Sequence, residues 1–258
     1  MSEPSQETLA LQLTEARAEV ERLRGRVKQL RQRVDAAGGA DGARELGYVF
    51  VMTYGRSGST LLMGLLNTIP GYLIRGENDD ALQHLYEFHR SCVERSKFWP
   101  VDRVRMRTDP FFGIGDFPPA MSIAGARRLA LETLLRPKPD TRVTGFKEIR
   151  WWRHEDLDGY VGWLREVFPG ARFLVNTRNH ADVLKSKWWA KGGDKSEHLA
   201  DVEAKILAAA DNLGDAAYRV HFDDYVADPR TLEPMFAWLG EEYDEASVRR
   251  TMDTKHSV

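Results

Sequence analysis

The segment Tyr48-Val-Phe-Val-Met-Thr-Tyr-Gly-Arg-Ser-Gly-Ser-Thr60 contains the most informative pattern of the chain. Its apolar, β-branched first part, Tyr48–Thr53, is typical of a buried strand. A helical pattern follows over Thr60–Ile69 and ends at Pro70-Gly71, a pair that breaks helices. The segment therefore predicts a strand that passes through a glycine-rich turn directly into a helix.

The turn between this strand and this helix suits an anion. Gly55 and Gly58 let the backbone wrap closely around a ligand, and Ser59 or Thr60 caps the helix, whose free N–H groups point at that ligand. Arg56 adds a positive charge. The loop is not the standard Walker A loop, because no Gly-Lys-Ser/Thr supplies the phosphate-bridging lysine. Taken alone, the same residues also suit a tight strand–helix turn that binds no ligand.

Apolar strands recur further along the chain, at Arg142–Phe146, Arg172–Thr177 and Tyr218–Phe222. Helical patterns separate them, at 79–96, 121–136, 156–168, 180–190, 197–213 and 230–239. Strands that alternate with helices predict an α/β fold, here a P-loop-like parallel sheet flanked by helices on both faces. The stretch 98–119, rich in proline, arginine and aromatic residues, is an irregular insertion of a kind that often forms a lid or a binding loop.

Residues 1–44 have a different pattern and are predicted to form a separate region before a domain at 45–258. Apolar residues recur along the sequence at alternating intervals of four and three residues, at Leu9, Leu13, Ala16, Val20, Leu23, Val27, Leu30 and Val34. Valine at a positions with leucine at d positions favours a parallel two-stranded coiled coil, and hence a homodimer. A single amphipathic helix packed on its own domain is the alternative. The glycine- and alanine-rich stretch 36–42 is typical of a flexible linker.

The composition is that of a globular protein and excludes several kinds of site. Of the 258 residues, 42% are hydrophobic and 29% are charged, which allows a sizeable core. A formal charge of −2 argues against a dedicated nucleic-acid binder. The single cysteine, Cys92, excludes an intramolecular disulfide and a cysteine-rich zinc site. With no long apolar run and no signal-peptide pattern, we expect a soluble, cytoplasmic protein without a membrane span.

A second group of anion-binding residues follows the strand Arg172–Thr177. Arg178 comes directly after it, and Ser186 lies eight residues later, on the helix that starts near His180. The turn and helix can return the Ser186 hydroxyl to the guanidinium, and such a pair suits a second phosphate. Taken alone, Arg178 equally suits an ion pair at the end of the sheet. Two anion sites at the carboxyl ends of two parallel strands predict a nucleotide site.

Together these motifs resemble those of sulfotransferases that use 3′-phosphoadenosine-5′-phosphosulfate (PAPS), particularly the bacterial and carbohydrate-type members. The loop from Tyr54 to Thr60 is similar to the family's 5′-phosphosulfate loop, and Arg178 with Ser186 is similar to its 3′-phosphate motif. The resemblance extends over Tyr48–Leu239 and includes Gly145-Phe-Lys-Glu148 and the segment His221–Pro229. One departure is Asn179-His180, which stands where the family has Asp-Pro.

The resemblance implies an enzyme that moves a sulfonyl group from PAPS, by in-line displacement and without a metal, to a hydroxyl of a carbohydrate or a glycosylated natural product. The product nucleotide is 3′,5′-adenosine bisphosphate. The residues implied for cofactor binding are Tyr54, Gly55, Arg56, Ser57, Gly58, Ser59, Thr60, Arg178 and Ser186. A loop that caps the nucleotide is expected near Lys255-His256-Ser257.

Such a transfer needs a base for the acceptor proton and positive groups near the oxygens that gain charge. Glu77 is a candidate base, since the extended piece Tyr72–Gly76 should return it to the first loop, in the region where carbohydrate-type sulfotransferases have a catalytic glutamate. Glu148, beside Lys147 at another strand end, is the alternative base. Lys147 and Arg56 are the expected catalytic cations.

Two tryptophan pairs, Trp151-Trp152 and Trp188-Trp189, follow segments that carry site residues. Their aromatic faces are candidates for stacking on the acceptor, and the alternative is that they belong to the core.

Two other functions of the whole protein also remain open. A P-loop kinase would need a loop lysine and an aspartate that holds magnesium, whereas a coiled-coil scaffold would carry the nucleotide site only as a vestige.

Overall fold

Five strands and the helices around them carry the site, in a computed structural model that describes residues 20, 22, 26, 46–186, 189 and 195–254. Contacts divide the chain into two units, Met1–Glu45 and Leu46–Val258. In the first unit, Val20, Arg22 and Arg26 are helical and exposed. The other positions of the expected coiled coil lie outside the described residues, so the coil and the homodimer stay predictions.

The second unit is built on one sheet. Its strands, in chain order, are β1 (Gly47–Met52), β2 (Tyr72–Arg75), β3 (Val143–Glu148), β4 (Arg172–Thr177) and β5 (Ala217–His221). Their order across the sheet is β2-β3-β1-β4-β5, and each neighbouring pair is parallel. The carboxyl ends of all five strands therefore share one edge, with β1 in the centre. Ligands of such sheets bind at that edge, where the strand order reverses direction.

Helices connect these strands. They are α1 (Ser59–Leu66), α2 (Leu82–Phe98), α3 (Pro119–Leu129), α4 (Leu157–Val167), α5 (His180–Leu184), α6 (Ser196–Leu213), α7 (Phe222–Ala227), α8 (Glu233–Leu239) and α9 (Glu245–Met252). A π-helical piece, Ala130–Leu135, extends α3. Short 3₁₀ turns lie at Ile114–Asp116, Trp151–Arg153, Gly214–Ala216 and Pro229–Leu232. Within the described part of the chain, every helix is too short or too polar to cross a membrane.

Alternate side chains of β1 enter two separate cores, one on each face of the sheet. Tyr48, Phe50 and Met52 are buried in a cluster with side chains of α4 and α6. Val49 and Val51 are buried in a second cluster, with side chains of α1 and α8. Burial on both faces explains why β1 is a continuous apolar run rather than an alternating one.

The expected α/β architecture is confirmed, with helices on both faces of a parallel sheet. The differences concern short elements. Tyr72–Arg75, expected only as extended chain, is an edge strand paired with β3. The helix expected over 180–190 ends at Leu184, and the sequence pattern does not predict the helix Glu245–Met252. Elements of four to eight residues contain too little periodicity to be recognised, so tertiary contacts determine them.

Gly145, in β3, has no room for a side chain. A Cβ placed there would lie 1.7 Å from the carbonyl oxygen of Val49 in β1. Because β1 and β3 are paired strands, the backbone cannot move aside without loss of hydrogen bonds between them. The close approach of these two strands therefore depends on glycine at this position.

We expect Gly145→Ala to lower the free energy of unfolding by more than about 2 kcal/mol, because the added methyl group overpacks the sheet. Gly162 offers a matched control, since it is exposed in α4 and a Cβ there would meet nothing within 4 Å. Gly162→Ala should raise the free energy of unfolding by up to about 1 kcal/mol through helix propensity. Urea unfolding measures both changes, and an unchanged midpoint for Gly145→Ala would contradict the close contact.

Candidate functional site

A cavity of about 770 Å³ opens at the carboxyl edge of the sheet. Its walls come from the loop after β1, from residues that follow β2, β3 and β4, and from α7 and the end of α9. The residues that line the cavity include Gly55, Arg56, Gly58, Ser59, Thr60, Glu77, Lys147, Ile149, Arg178, Phe222, Met252, Asp253 and Thr254. The cavity thus lies where an open parallel sheet is expected to bind its ligand.

The loop after β1 turns through two left-handed residues. Arg56 has a φ of 70° and Gly58 a φ of 81°, a region that residues other than glycine seldom adopt. A Cβ on Gly58 would lie 2.0 Å from the ring of Phe222. Both conformation and space therefore require glycine here, and the loop presents backbone to the cavity at the start of α1. This is the arrangement by which helix N-termini bind anions.

Buried hydrogen bonds hold this loop from behind. The Thr53 hydroxyl lies 2.6 Å from Ser57 Oγ and 2.7 Å from the carbonyl oxygen of Asn176. Asn176 Nδ2 donates to the Ser57 carbonyl oxygen at 2.8 Å, and the Tyr225 hydroxyl donates to Asn176 Oδ1 at 3.0 Å. The loop after β1 is thus tied to β4, and Ser57 supports the loop instead of facing the cavity.

Arg178, directly after β4, lies beside this first loop. Its Nη1 donates to the carbonyl oxygen of Arg56 at 3.2 Å, and its guanidinium lies 4.4 Å from the centre of the Phe222 ring. Its Nε is buried without a hydrogen-bond partner among the described residues, and so is the hydroxyl of Ser186. Because buried polar groups are normally paired, two unpaired donors close to the sheet edge are unusual.

Tyr54 connects the two loops from inside the fold. Its hydroxyl donates to Glu203 Oε2 at 2.6 Å and accepts the Arg178 N–H at 2.9 Å. Glu203 Oε1 also lies 3.2 Å from His180 Nε2. Burial, and then the hydrogen bond to Glu203, raise the pKa of the Tyr54 hydroxyl well above its usual value, so it stays a donor. The buried ring lies outside the cavity lining, so the side chain of Tyr54 positions the loops.

Asn179, which stands where an aspartate was expected, keeps the turn after β4 intact. Its Oδ1 accepts the N–H of Ala181 at 2.9 Å and so caps α5, a role that asparagine and aspartate share. Its own N–H donates to Asp223 Oδ2 at 2.8 Å. His221 Nε2 lies 3.2 Å from the same carboxylate oxygen. The segment that begins at His221 therefore supports the second anion loop.

Glu77 and Lys147 meet at the cavity. Lys147 Nζ donates to Glu77 Oε1 at 2.5 Å, and Arg150 Nη1 donates to Glu77 Oε2 at 3.2 Å. The side chain of Lys147 is 6% exposed, whereas that of Glu77 is 35% exposed. Lys147 thus pairs with Glu77 and not with its chain neighbour Glu148, and the carboxylate of Glu77 remains open to the cavity.

Glu148 has a different environment from Glu77. It is 1% exposed and accepts four hydrogen bonds of 2.8–3.1 Å, from Arg150 and from the backbone N–H groups of Asn78, Asp80 and Ile149. Burial raises its pKa, but these hydrogen bonds outweigh burial and hold the pKa below its usual value. A carboxylate whose lone pairs are so occupied accepts a proton poorly. Glu148 instead fixes the loop that carries Glu77.

Most of the residues expected at the site line this one cavity, namely Gly55, Arg56, Gly58, Ser59, Thr60, Glu77, Lys147 and Arg178. Tyr54 and Ser57 lie behind the loop, and Ser186 is outside the lining although its hydroxyl is an unpaired buried donor among the described residues. The expected capping segment, 255–257, lies outside the described residues.

The described tryptophans of the two pairs are not part of the cavity lining. Trp151 and Trp189 are buried, and their indole N–H groups donate to the carbonyl oxygens of Glu148 and Gly55 at 2.8 and 2.9 Å. Trp152 packs edge-on against His198. Trp188 lies outside the described residues. The three described rings therefore have structural roles.

Several residues of the site were not found from the sequence. Phe222 and Met252 reach the cavity only through tertiary packing, and no local pattern identifies them. Asn176 did have a signal, because a polar residue within an otherwise apolar strand must find a buried partner. Among the described residues, no group of three or more histidine, cysteine or carboxylate side chains is placed to hold a metal ion.

A model of the sulfotransferase family matches residues 49–245 of the chain. The sulfotransferase domain of the Synechococcus PCC 7002 olefin synthase has a TM-score of 0.50 at 17% identity, over 84% of this chain and 80% of that one. The sulfotransferase domain from the curacin biosynthetic pathway has a TM-score of 0.50 at 16% identity, over 83% of this chain and 80% of that one. No curated protein matches the chain significantly in sequence.

The two solved structures show that the fold is shared, and the family match rests on the sequence itself. It covers more than half of the chain and includes the loops after β1 and β4, Glu77 and Lys147. The resemblance stated from the motifs is thus confirmed at the level of the family. The chain belongs to the sulfotransferase family.

Proposed function

We propose that this sulfotransferase takes its sulfonyl group from PAPS and transfers it to a hydroxyl of a carbohydrate or a glycosylated natural product, with Glu77 as general base. The observation that carries the proposal is one cavity that holds Arg178 beside the loop after β1, together with Glu77 and Lys147. A nucleotide with two separate anionic ends needs two such loops on one sheet edge.

The residues present suit PAPS. The backbone N–H groups at the start of α1 would hold the 5′-phosphosulfate, and the absence of a Cβ on Gly58 lets the Phe222 ring pack against that loop. Arg178 and Ser186 would hold the 3′-phosphate, since Arg178 Nε and the Ser186 hydroxyl are buried donors without partners among the described residues. When bound, PAPS supplies the sulfonyl group and the leaving bisphosphate. The proposal assigns no role to a metal ion.

Glu77 would take the proton that the acceptor hydroxyl loses. Lys147 and Arg150 hold its two oxygens, and this orients the carboxylate while it stays open to the cavity. Lys147 and Arg56 would place positive charge near the oxygens that become more negative during transfer. Arg56 is exposed at the loop and free to approach them, whereas the stem of Lys147 is buried and directs its ammonium group.

The remaining cavity lining supports a sugar-like acceptor. Ile149 and Met252 offer apolar contacts, and Asp253 and Thr254 add polar groups. A sugar ring has an apolar face and a rim of hydroxyl groups, so it matches a wall of mixed character. An acceptor hydroxyl bound there would lie in the cavity that also contains Glu77.

Thermal unfolding with nucleotides tests this function. 3′,5′-Adenosine bisphosphate should raise the melting temperature, because a ligand that binds only the folded state stabilises it, and ATP with magnesium should not. A rise with ATP and magnesium alone would favour a kinase. No rise with either nucleotide would favour a scaffold without a working site. Either of these two results would contradict the proposal.

Arg178→Ala tests the assignment of the 3′-phosphate. We expect the affinity for 3′,5′-adenosine bisphosphate to fall by about 1.5–3 kcal/mol, since a charge-assisted phosphate contact is lost. The affinity for adenosine 5′-monophosphate, which lacks the 3′-phosphate, should change little. Titration calorimetry measures both affinities. Equal losses for the two nucleotides would show that Arg178 does not hold the 3′-phosphate.

Glu77→Gln tests the base. The variant should bind PAPS nearly as well as the parent protein, but its single-turnover rate should fall by about 10²–10⁴, because glutamine cannot take up the proton. Asp79→Asn is the matched control, since Asp79 is an exposed carboxylate on the same loop that also contacts Arg150, at 2.9 Å. It should keep a rate within about threefold of the parent, well below the cost of base removal.

Glu148→Gln completes the comparison. Loss of its charged hydrogen bonds should lower the melting temperature, each such bond contributing about 1.5–3 kcal/mol. A Glu77→Gln protein that keeps its full rate would disprove the base assignment. A Glu148→Gln protein that folds stably but transfers no sulfonyl group would move the assignment to Glu148.

We also infer that residues 9–34 form a parallel coiled coil, that 36–42 is a flexible linker, and that the catalytic domain at 45–258 acts as part of a cytoplasmic homodimer. Deletion of residues 1–42 should give a monomer that still binds 3′,5′-adenosine bisphosphate, because the linker separates the two regions. Sedimentation velocity compares it with the full chain. A truncated protein that still dimerises would show that the interface lies elsewhere.

A further inference from the structure

The segment from the end of α2 to the start of α3 exposes large apolar side chains. Phe98 is 56% exposed, Met106 is 64% exposed and Phe112 is 51% exposed. Val101 and Phe111 are exposed as well. Single exposed apolar residues are common, but several on one segment mark a surface that contacts a partner.

The rings of Phe98, Trp99 and Phe111 form a continuous cluster. Trp99 lies between Phe98 and Phe111, with ring centres 5.1 and 4.8 Å away, and it stacks on Phe111 with the two planes 16° apart. The Arg103 guanidinium lies 4.4 Å from the Trp99 ring centre and 5.3 Å from that of Phe98. Stacking on these rings lets an exposed arginine remain next to an apolar surface.

Five exposed cations lie at the end of α2 and in the first part of this segment, although the whole chain has a formal charge of −2. Residues 95–112 contain two carboxylates, Asp102 and Asp109, against five exposed cations, which are Arg95, Lys97, Arg103, Arg105 and Arg107. None of these five forms an ion pair with a described residue. We call the exposed apolar and cationic side chains of this segment the 95–112 surface. It combines exposed apolar area with three more cations than carboxylates over 95–112, and the next charged residues on either side are Glu94 and Asp116.

This surface is separate from the cavity. Helix α2 has 17 residues, and its rise of 1.5 Å per residue makes it about 25 Å long. Its first residue, Leu82, follows the loop that carries Glu77, and its last residue, Phe98, begins the 95–112 surface. None of the residues of this surface lines the cavity. The 95–112 surface therefore does not belong to the cavity in which the transfer is proposed.

We propose that the 95–112 surface docks this protein on an anionic lipid bilayer. Phenylalanine and methionine side chains enter the boundary between headgroups and acyl chains, and arginine and lysine contact the lipid phosphates. A purely anionic polymer such as a nucleic acid would make no apolar contact with the exposed apolar side chains. An uncharged apolar partner would make no ionic contact with the five cations. A negatively charged membrane surface satisfies both.

Binding of the full chain to vesicles tests the proposal and requires no sulfonyl donor, so its outcome is independent of the proposed function. We expect the chain to sediment with vesicles that mix phosphatidylcholine and phosphatidylglycerol, and much less with vesicles of phosphatidylcholine alone. Added salt should weaken the binding, because it screens the attraction between cations and phosphates.

Two double variants separate the contributions of charge and apolar contact. Each cation near an anionic bilayer contributes about fivefold to partition, so Arg105→Gln with Arg107→Gln should weaken vesicle binding by about 25-fold. Met106→Ser with Phe112→Ser should weaken it at low salt too, since the apolar insertion is lost, and both side chains are more than half exposed. Arg128→Gln with Arg165→Gln is the matched control, because both arginines are exposed outside this surface, and it should bind as the parent does.

Three results would overturn the proposal. The first is no binding to the anionic vesicles, and the second is equal weakening by the control pair and by the Arg105 and Arg107 pair. The third is retention on polyglutamate or single-stranded DNA without binding to vesicles, which would show that the partner is a protein or a nucleic acid. All the substituted residues are exposed, so each variant should keep the parent melting temperature, and this confirms that it is folded.

Discussion

Thr53 and Asn176 lie at the carboxyl ends of the adjacent strands β1 and β4, and their buried hydrogen bonds determine where the loops after these strands lie. Asn176 holds Ser57 in the first loop, and the Tyr54 hydroxyl holds the backbone of Arg178 in the second. A buried polar group that loses its partner costs roughly 1–3 kcal/mol, so the loops cannot separate without a large loss of stability. The two loops are thus held together by the fold itself, so binding of the proposed nucleotide would need little further ordering.

The two glutamates beside this site show how environment separates residues of the same type. Glu148 is surrounded by donors, and its role is to fix the backbone of Asn78 and Asp80. Glu77, on the loop fixed in this way, pairs among the described residues with the side chains of Lys147 and Arg150 and faces the cavity. Pairs of carboxylates in contrasting environments commonly divide structural and proton-transfer roles in this manner.

Helix α2 connects the loop that carries Glu77 with the surface proposed to contact a membrane. One of its ends follows the loop of Glu77, and the other begins the 95–112 surface. The side chains that face the cavity and those that would face lipid therefore belong to different parts of the unit. Binding to a bilayer at the far end would leave the cavity accessible to an acceptor and to the nucleotide.

The sequence alone determines the α/β class, the central strand and the glycine-rich loop after it. Apolar runs, glycine spacing and the alternation of strands with helices are local patterns, visible within short stretches of sequence. The sequence alone does not determine the contrast between Glu77 and Glu148, since each is a glutamate at or after the end of a strand, and only their hydrogen-bond partners and their burial distinguish them. Tyr54 likewise resembles a ligand-binding residue in the sequence, but its hydroxyl points inward to Glu203, 149 residues away along the chain. Phe222 and Met252 join the cavity in the same way. Only the tertiary structure decides these positions, because the partners that determine them are distant in the chain.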